Sequence, residues 1–146
     1  MDDLRDQLAR LEDERAIVAT LYCYGDALDH GDRDEFLDCF APNAEYVVRM
    51  RLNSSAGFTH VGHEQLGAYF DGHTHAPAAF HKHVTVNPII TLDGAAADAR
   101  SYFLRVDSPA AGPAVVVAAG RYIDRFERGA DGRWRIRSRS CEVENL

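Results

Sequence analysis

A helical first part followed by a run of strands predicts an α+β domain, one curved sheet wrapped around a helical layer. Leu4, Leu8, Leu11, Ile17, Leu21, Tyr24 and Leu28 recur at three- and four-residue intervals, the spacing of one helix face. Beyond Pro77 the chain becomes mostly strand-like, punctuated by the turn signals Asp93-Gly94 and Gly129-Ala-Asp-Gly132. No repeat, low-complexity tract or linker divides the 146 residues, so 1–146 reads as a single domain.

The elements follow in order. The first helix spans about Asp2 to Leu28, with Gly31 as its stop. Asp32 opens a second helix, Arg33 to Phe40, which places Phe36, Leu37 and Phe40 on one face and ends at Pro42-Asn43. Ala44 to Leu52 reads as a strand, Asn53 to Gly57 as a polar loop, and His63 to Phe70 as a short helix with Leu66, Tyr69 and Phe70 on its apolar side. Phe80 to Leu92 is a strand bent near Pro88. Ala96 to Val106, Ala114 to Glu127 and Arg133 to Val143 complete the sheet. In the last of these, Arg133, Arg135, Arg137 and Arg139 alternate with Trp134 and Ile136, which predicts an outer face of arginines.

Composition narrows the function. Apolar residues make up 46% of the chain, enough for a sizeable core. Sixteen basic residues against 23 acidic give a charge of −7, which argues against a nucleic-acid surface. No run has the length of a membrane span, and the charged start lacks an apolar signal core. Cys23, Cys39 and Cys141 match neither a disulfide framework nor a zinc spacing. Together these predict a reducing, cytoplasmic setting.

Asp29 and His83 are the best candidates for chemistry. On a helical wheel Asp29 lies at the margin of the apolar stripe, beside Val18, Tyr22 and Gly25, and Gly25 puts no side chain in front of it. Asp26 falls on the solvated side. The bland alternative is that Asp29 merely ends the helix. In the strand from Phe80, one face carries Phe80, Lys82, Val84 and Val86, and the other His81, His83, Thr85 and Asn87. That polar row is either a solvated face or the polar lining of an apolar pocket. His73, His75, His81 and His83 also raise a metal site, but the segment offers no carboxylate after Asp71, and none is predicted. Hydrolase elbows, phosphate loops and dinucleotide fingerprints are lacking.

Tyr22-Cys-Tyr-Gly-Asp-Ala-Leu-Asp29-His-Gly-Asp, with Phe40-Ala-Pro-Asn-Ala-Glu-Tyr46, resembles the opening of SnoaL-like proteins of the nuclear transport factor two-like superfamily. Gly120-Arg-Tyr-Ile-Asp-Arg-Phe126 and Asp131-Gly-Arg-Trp134-Arg-Ile136 resemble their ending. The likeness covers nearly the whole chain. It implies a cone-shaped barrel, a strongly bent sheet packed on the helices around one deep pocket. Asp29 and His83 resemble the pair in scytalone dehydratase and hexachlorocyclohexane dehydrochlorinase. The resemblance therefore implies His83 as general base, with Asp29 fixing its tautomer. It makes Tyr24 and Tyr46 candidates for assisting the leaving group, and Asn87 and Arg121 candidates for holding a carbonyl or enolate oxygen.

Two departures stand out. Ser108 occupies the place of a second histidine in scytalone dehydratase, and Leu146 closely follows the last strand. The expected activity is a cofactor-free, dehydratase-like lyase acting on a small cyclic or polyketide-like substrate. Isomerase or polyketide cyclase chemistry with the same base is an alternative. A second is a non-catalytic binding or assembly subunit, like the β chain of ring-hydroxylating dioxygenases. Homo-oligomerisation, as dimer or trimer, is expected from the apolar outer face of an open sheet, to which Phe80, Val84 and Val86 are assigned.

Overall fold

The apolar stripe of the first helix is continuous in sequence but buried only in its second half. In the computed structural model, which describes residues 2–146, helix α1 spans Asp2–His30. Ile17, Leu21, Tyr24 and Leu28 are sealed in the core, whereas Leu4, Leu8 and Leu11 stay more than half exposed. The sheet covers only the later turns, so the first turns project beyond it. Gly31 stops α1 at φ 79°, and Asp32 caps α2 (Arg33–Asp38) by accepting a 3.0 Å hydrogen bond from the Glu35 N–H.

The remaining elements are β1 (Phe40–Met50), a short 3-10 turn at Ser54–Ala56, β2 (Phe58–Val61), α3 (Gly62–Gly72), β3 (His81–Asp93), β4 (Ala96–Asp107), β5 (Val115–Arg128) and β6 (Trp134–Val143). One six-stranded sheet has the order β2-β1-β6-β5-β4-β3. Its neighbours are antiparallel except β1 and β6, which run parallel. The sheet is not closed: β2 and β3 are its edges, and α1 packs beside β3.

The second helix is shorter than its sequence predicts, and β1 starts at Phe40 instead of Ala44. Pro42 is accommodated because the β1–β6 ladder skips from Phe40↔Ile136 to Glu45↔Ser138. The missing N–H of proline therefore costs no rung. β2, four residues paired with β1, is too short to show any periodicity and was not expected.

Arg139 reverses an expectation. Opposite β5 the register passes from Phe126↔Ile136 to Arg125↔Ser138, so Arg137 is an extra, bulged residue. The alternation slips by one, and Arg139 points into the core instead of outward. Its Nε and Nη2 donate to the two oxygens of Asp124 at 2.8 and 2.9 Å. Its guanidinium lies between the rings of Tyr122 and Tyr24, at 3.8 and 4.3 Å. Burial opposes the charge, but Asp124 outweighs it and holds Arg139 well above the ordinary arginine range.

Candidate active site

Asp29, in the last turn of α1, is buried and meets three donors. Its Oδ1 accepts from Nδ1 of His83 at 2.6 Å and from Nδ1 of His81 at 2.8 Å, and its Oδ2 accepts from the backbone N–H of His83 at 2.8 Å. Burial alone would raise the carboxyl pKa. The hydrogen bonds from the His83 ring and backbone, together with that from His81, outweigh burial and hold it below the ordinary value. Asp26, one turn earlier, is exposed, as its place on the wheel predicts.

Strand alternation explains how two histidines reach one carboxylate. His81, His83 and Thr85 share the face of β3 that turns inward, and this polar row is buried or half-buried. Gly25 allows the approach: a Cβ there would lie 2.6 Å from the His83 carbonyl oxygen. The glycine thus makes room for the strand itself.

The two imidazoles are held differently. His81 Nε2 lies 2.7 Å from the Thr74 carbonyl oxygen, so both of its nitrogens are engaged. His83 uses Nδ1 on Asp29, and its Nε2 makes no hydrogen bond among the described residues. His83 lines a hollow of about 550 Å³ between α1 and β3, with Tyr22, Asp26 and Thr85 among its walls. Sequence reasoning put His81 on the correct face but gave it no part in the dyad. The signal was present, since residues two apart on a strand face the same side.

The loop before β3 is fastened to the end of α1. The Ala76 N–H donates to Asp29 O at 2.9 Å. His75 bridges the carbonyls of Leu28 and Phe70, at 2.5 and 3.0 Å, with its ring stacked on Phe70. His73, on the same loop, packs against His83 and His81, with ring centroids 5.5 and 5.1 Å away. Burial lowers its pKa to about 4, so it is neutral at pH 7.

Tyr24 and Tyr46 are both buried, and their hydroxyls meet at 3.0 Å. Burial holds both phenols well above the usual tyrosine pKa, so they stay protonated. Neither lines the His83 hollow, contrary to the role expected of them, because two rings stand between: Tyr46 to Tyr69 at 5.5 Å, Tyr69 to His73 at 5.7 Å, and His73 to His83. Tyr69 reads as apolar helix face in the sequence, and only the fold shows it between the two pairs.

Asn87 and Arg121 are brought together, but away from His83. Asn87 sits at φ 56° where the β3–β4 register skips between Val86 and Ile89, so it leaves the face that alternation from His83 assigns to it. Arg121 is exposed between the inward Gly120 and Tyr122. Both line a small outer hollow with Ile89, Arg100 and Tyr102.

Asp29, His81 and His83 each offer a ligand atom within 4.8 Å of one another. Zinc bonds at tetrahedral angles hold their donors roughly 3.4 Å apart. The 2.6 and 2.8 Å contacts are instead those of shared protons.

The model of the SnoaL-like domain matches residues 9–140. The chain belongs to this family. A comparison with the curated proteins finds no match. Among solved structures, the SnoaL-like chain is similar to a nuclear transport factor two-like protein with a cystatin-like fold from Novosphingobium aromaticivorans, with 24% identity and a TM-score of 0.85 over 98% of this chain and 89% of that one. It is also similar to a candidate scytalone dehydratase from the same organism, with 22% identity and a TM-score of 0.73 over 98% and 88%. A candidate aromatic-ring-hydroxylating dioxygenase β subunit, again from that organism, shares 22% identity and a TM-score of 0.74 over 95% and 93%. At these identities the likeness establishes the fold, a curved sheet on helices that the SnoaL-like chain shares with all three. No helix among the described residues is long and apolar enough to cross a membrane.

Proposed function

We propose that the protein is a cofactor-independent lyase that removes water from a small cyclic or polyketide-like substrate. The observation that supports this is His83, fixed by Asp29 through both its ring and its backbone, with Nε2 left open. With Nδ1–H committed to the carboxylate, Nε2 carries the lone pair, which is the tautomer a general base needs. It takes a proton from a carbon next to a carbonyl, and the C–H electron pair becomes the new double bond. The hydroxyl on the neighbouring carbon departs as water with the proton that His83 has taken, which returns the imidazole to its neutral form.

Isomerisation or cyclisation begins with the same proton abstraction and differs in where the electron pair ends. A non-catalytic assembly subunit is a second reading. It draws support from the likeness to the dioxygenase β subunit and from Ile89, Tyr102 and Ile123, which are exposed on the outer face of the sheet. A panel of cyclic hydroxy-carbonyl compounds, followed by mass spectrometry for loss of water, separates these. The expected result is turnover by the native protein and none by His83→Ala. Undiminished turnover by His83→Ala would falsify the assignment of the base.

A further inference from the structure

We propose that His81 is a positioning residue that carries both ring protons, so the resting site holds the Asp29 carboxylate between a cationic His81 and a neutral His83. The proposal rests on the assignment of His83 as the base. His81 Nε2 lies 2.7 Å from the Thr74 carbonyl oxygen, and its Nδ1 lies 2.8 Å from Asp29 Oδ1. A carbonyl oxygen only accepts, so Nε2 carries a proton. An ionised carboxylate only accepts as well, so Nδ1 carries the other. The Thr74 hydroxyl is also near Nε2, at 3.1 Å, and could donate to a bare nitrogen. That arrangement would turn a lone pair toward the closer carbonyl, which the shorter distance disfavours.

The surroundings fit a cation at His81. Asp29 approaches from α1, and His83 from the same strand with its ring edge-on at 5.3 Å. His73, from the loop after α3, is neutral at pH 7. From β4, Arg105 and Asp107 line the hollow beside His81 and are bonded to each other at 2.9 Å. Lys82, the next residue, donates its ammonium to the His81 backbone carbonyl at 3.3 Å, so one cation also lies near; Asp29 is the anion bonded to the ring among the described residues.

This divides the work of two histidines on one strand face. His81 helps hold Asp29 ionised and aimed, while His83 keeps its free nitrogen for substrate. When His83 takes a proton, two cationic rings share a single Oδ1. Their repulsion favours passing that proton on, which a base must do in every cycle.

The test is nitrogen-15 NMR of the histidine rings in the full-length native protein at pH 7, without substrate. His75, which also faces two carbonyl oxygens, should show both nitrogens protonated; a second ring should do the same, and its signals should vanish in His81→Asn while those of His75 remain. The His81 signals should persist in Thr74→Val, which keeps the carbonyl and removes the hydroxyl. His83 should show a proton on Nδ1 only. A single-proton His81, or one that changes state in Thr74→Val, overturns the proposal. If His81→Asn does not fold, His75→Gln and His83→Gln together complete the assignment: the signals that survive both belong to His81.

A second readout concerns the role itself. In His81→Asn the acid limb of the pH–rate profile should move to higher pH, because His83 loses a cationic neighbour. An unmoved limb means that His81 is merely structural. The NMR result requires no turnover, so it can fail while His83 stands as the base, and the substrate screen can fail without touching it.

Discussion

Gly25 and His83 are packed so closely that a Cβ on the glycine would lie 2.6 Å from the carbonyl oxygen of the histidine. Helix α1 and strand β3 therefore touch backbone to backbone at the point where Asp29 reaches across. Alanine at 25 would gain about 1 kcal/mol of helix propensity but must push β3 away. Gly25→Ala should lower stability by about 1–3 kcal/mol, as overpacking does, and weaken the Asp29–His83 contact. Urea unfolding and His83 ring spectra check both. Unchanged values would show that the strand yields without cost.

Asp29→Asn keeps the size of the side chain but replaces one accepting oxygen with a donor. It faces three N–H groups and can no longer receive them all. Activity in kcat/KM should fall by about 10²–10⁴-fold, the usual contribution of an oriented base. The variant should also lose a pH-dependent share of stability. The folded carboxyl is held below the ordinary value, so its contribution is complete above the unfolded pKa of about 3.9 and disappears as pH falls through the folded value. Acid unfolding of native and variant protein should differ on that side only.

His73 gives the opposite kind of group a similar sign. Burial lowers its pKa to about 4, whereas the unfolded ring titrates near the ordinary 6.5. Between these values the unfolded chain binds the extra proton, so stability falls as the pH drops from about 6.5 to about 4. His73→Gln should flatten the stability profile in that window. The ring is partly exposed, so the slope is expected to be shallow.

The Asp124–Arg139 pair is fully buried, and its partners are not independent. Asp124→Asn or Arg139→Met alone should cost about 3–5 kcal/mol, because each strands a charge in the core. The double variant should cost less than the sum of the two. Thermal or urea unfolding of the four proteins measures the coupling, and strict additivity would contradict the pairing.

Much of the fold was legible because burial follows period. Ile17 to Leu28, the Asp93-Gly94 hairpin and the alternation of β3 all came from spacing. What spacing missed lies where the period breaks. The extra residue at Arg137 turned Arg139 inward, and the skip at Asn87 turned that side chain outward. A bulge changes the face of everything beyond it without changing composition. In the site, the meeting of Asp29 and His83 was legible, whereas Tyr24 and Tyr46 bond each other in the core and Asn87 and Arg121 lie on the outer side. His81, Tyr69 and His73 complete the surroundings through tertiary contacts that no local pattern encodes.

β3 is an edge strand, and its His83 N–H points away from β4 to Asp29 Oδ2. The carboxylate thereby stands in for the neighbouring strand that an open sheet lacks at that rung. An uncovered amide at a sheet border invites another chain to pair with it. Any exchange of Asp29 for a side chain that cannot accept therefore also unguards this border, and such proteins should be more prone to self-association than their loss of stability alone explains.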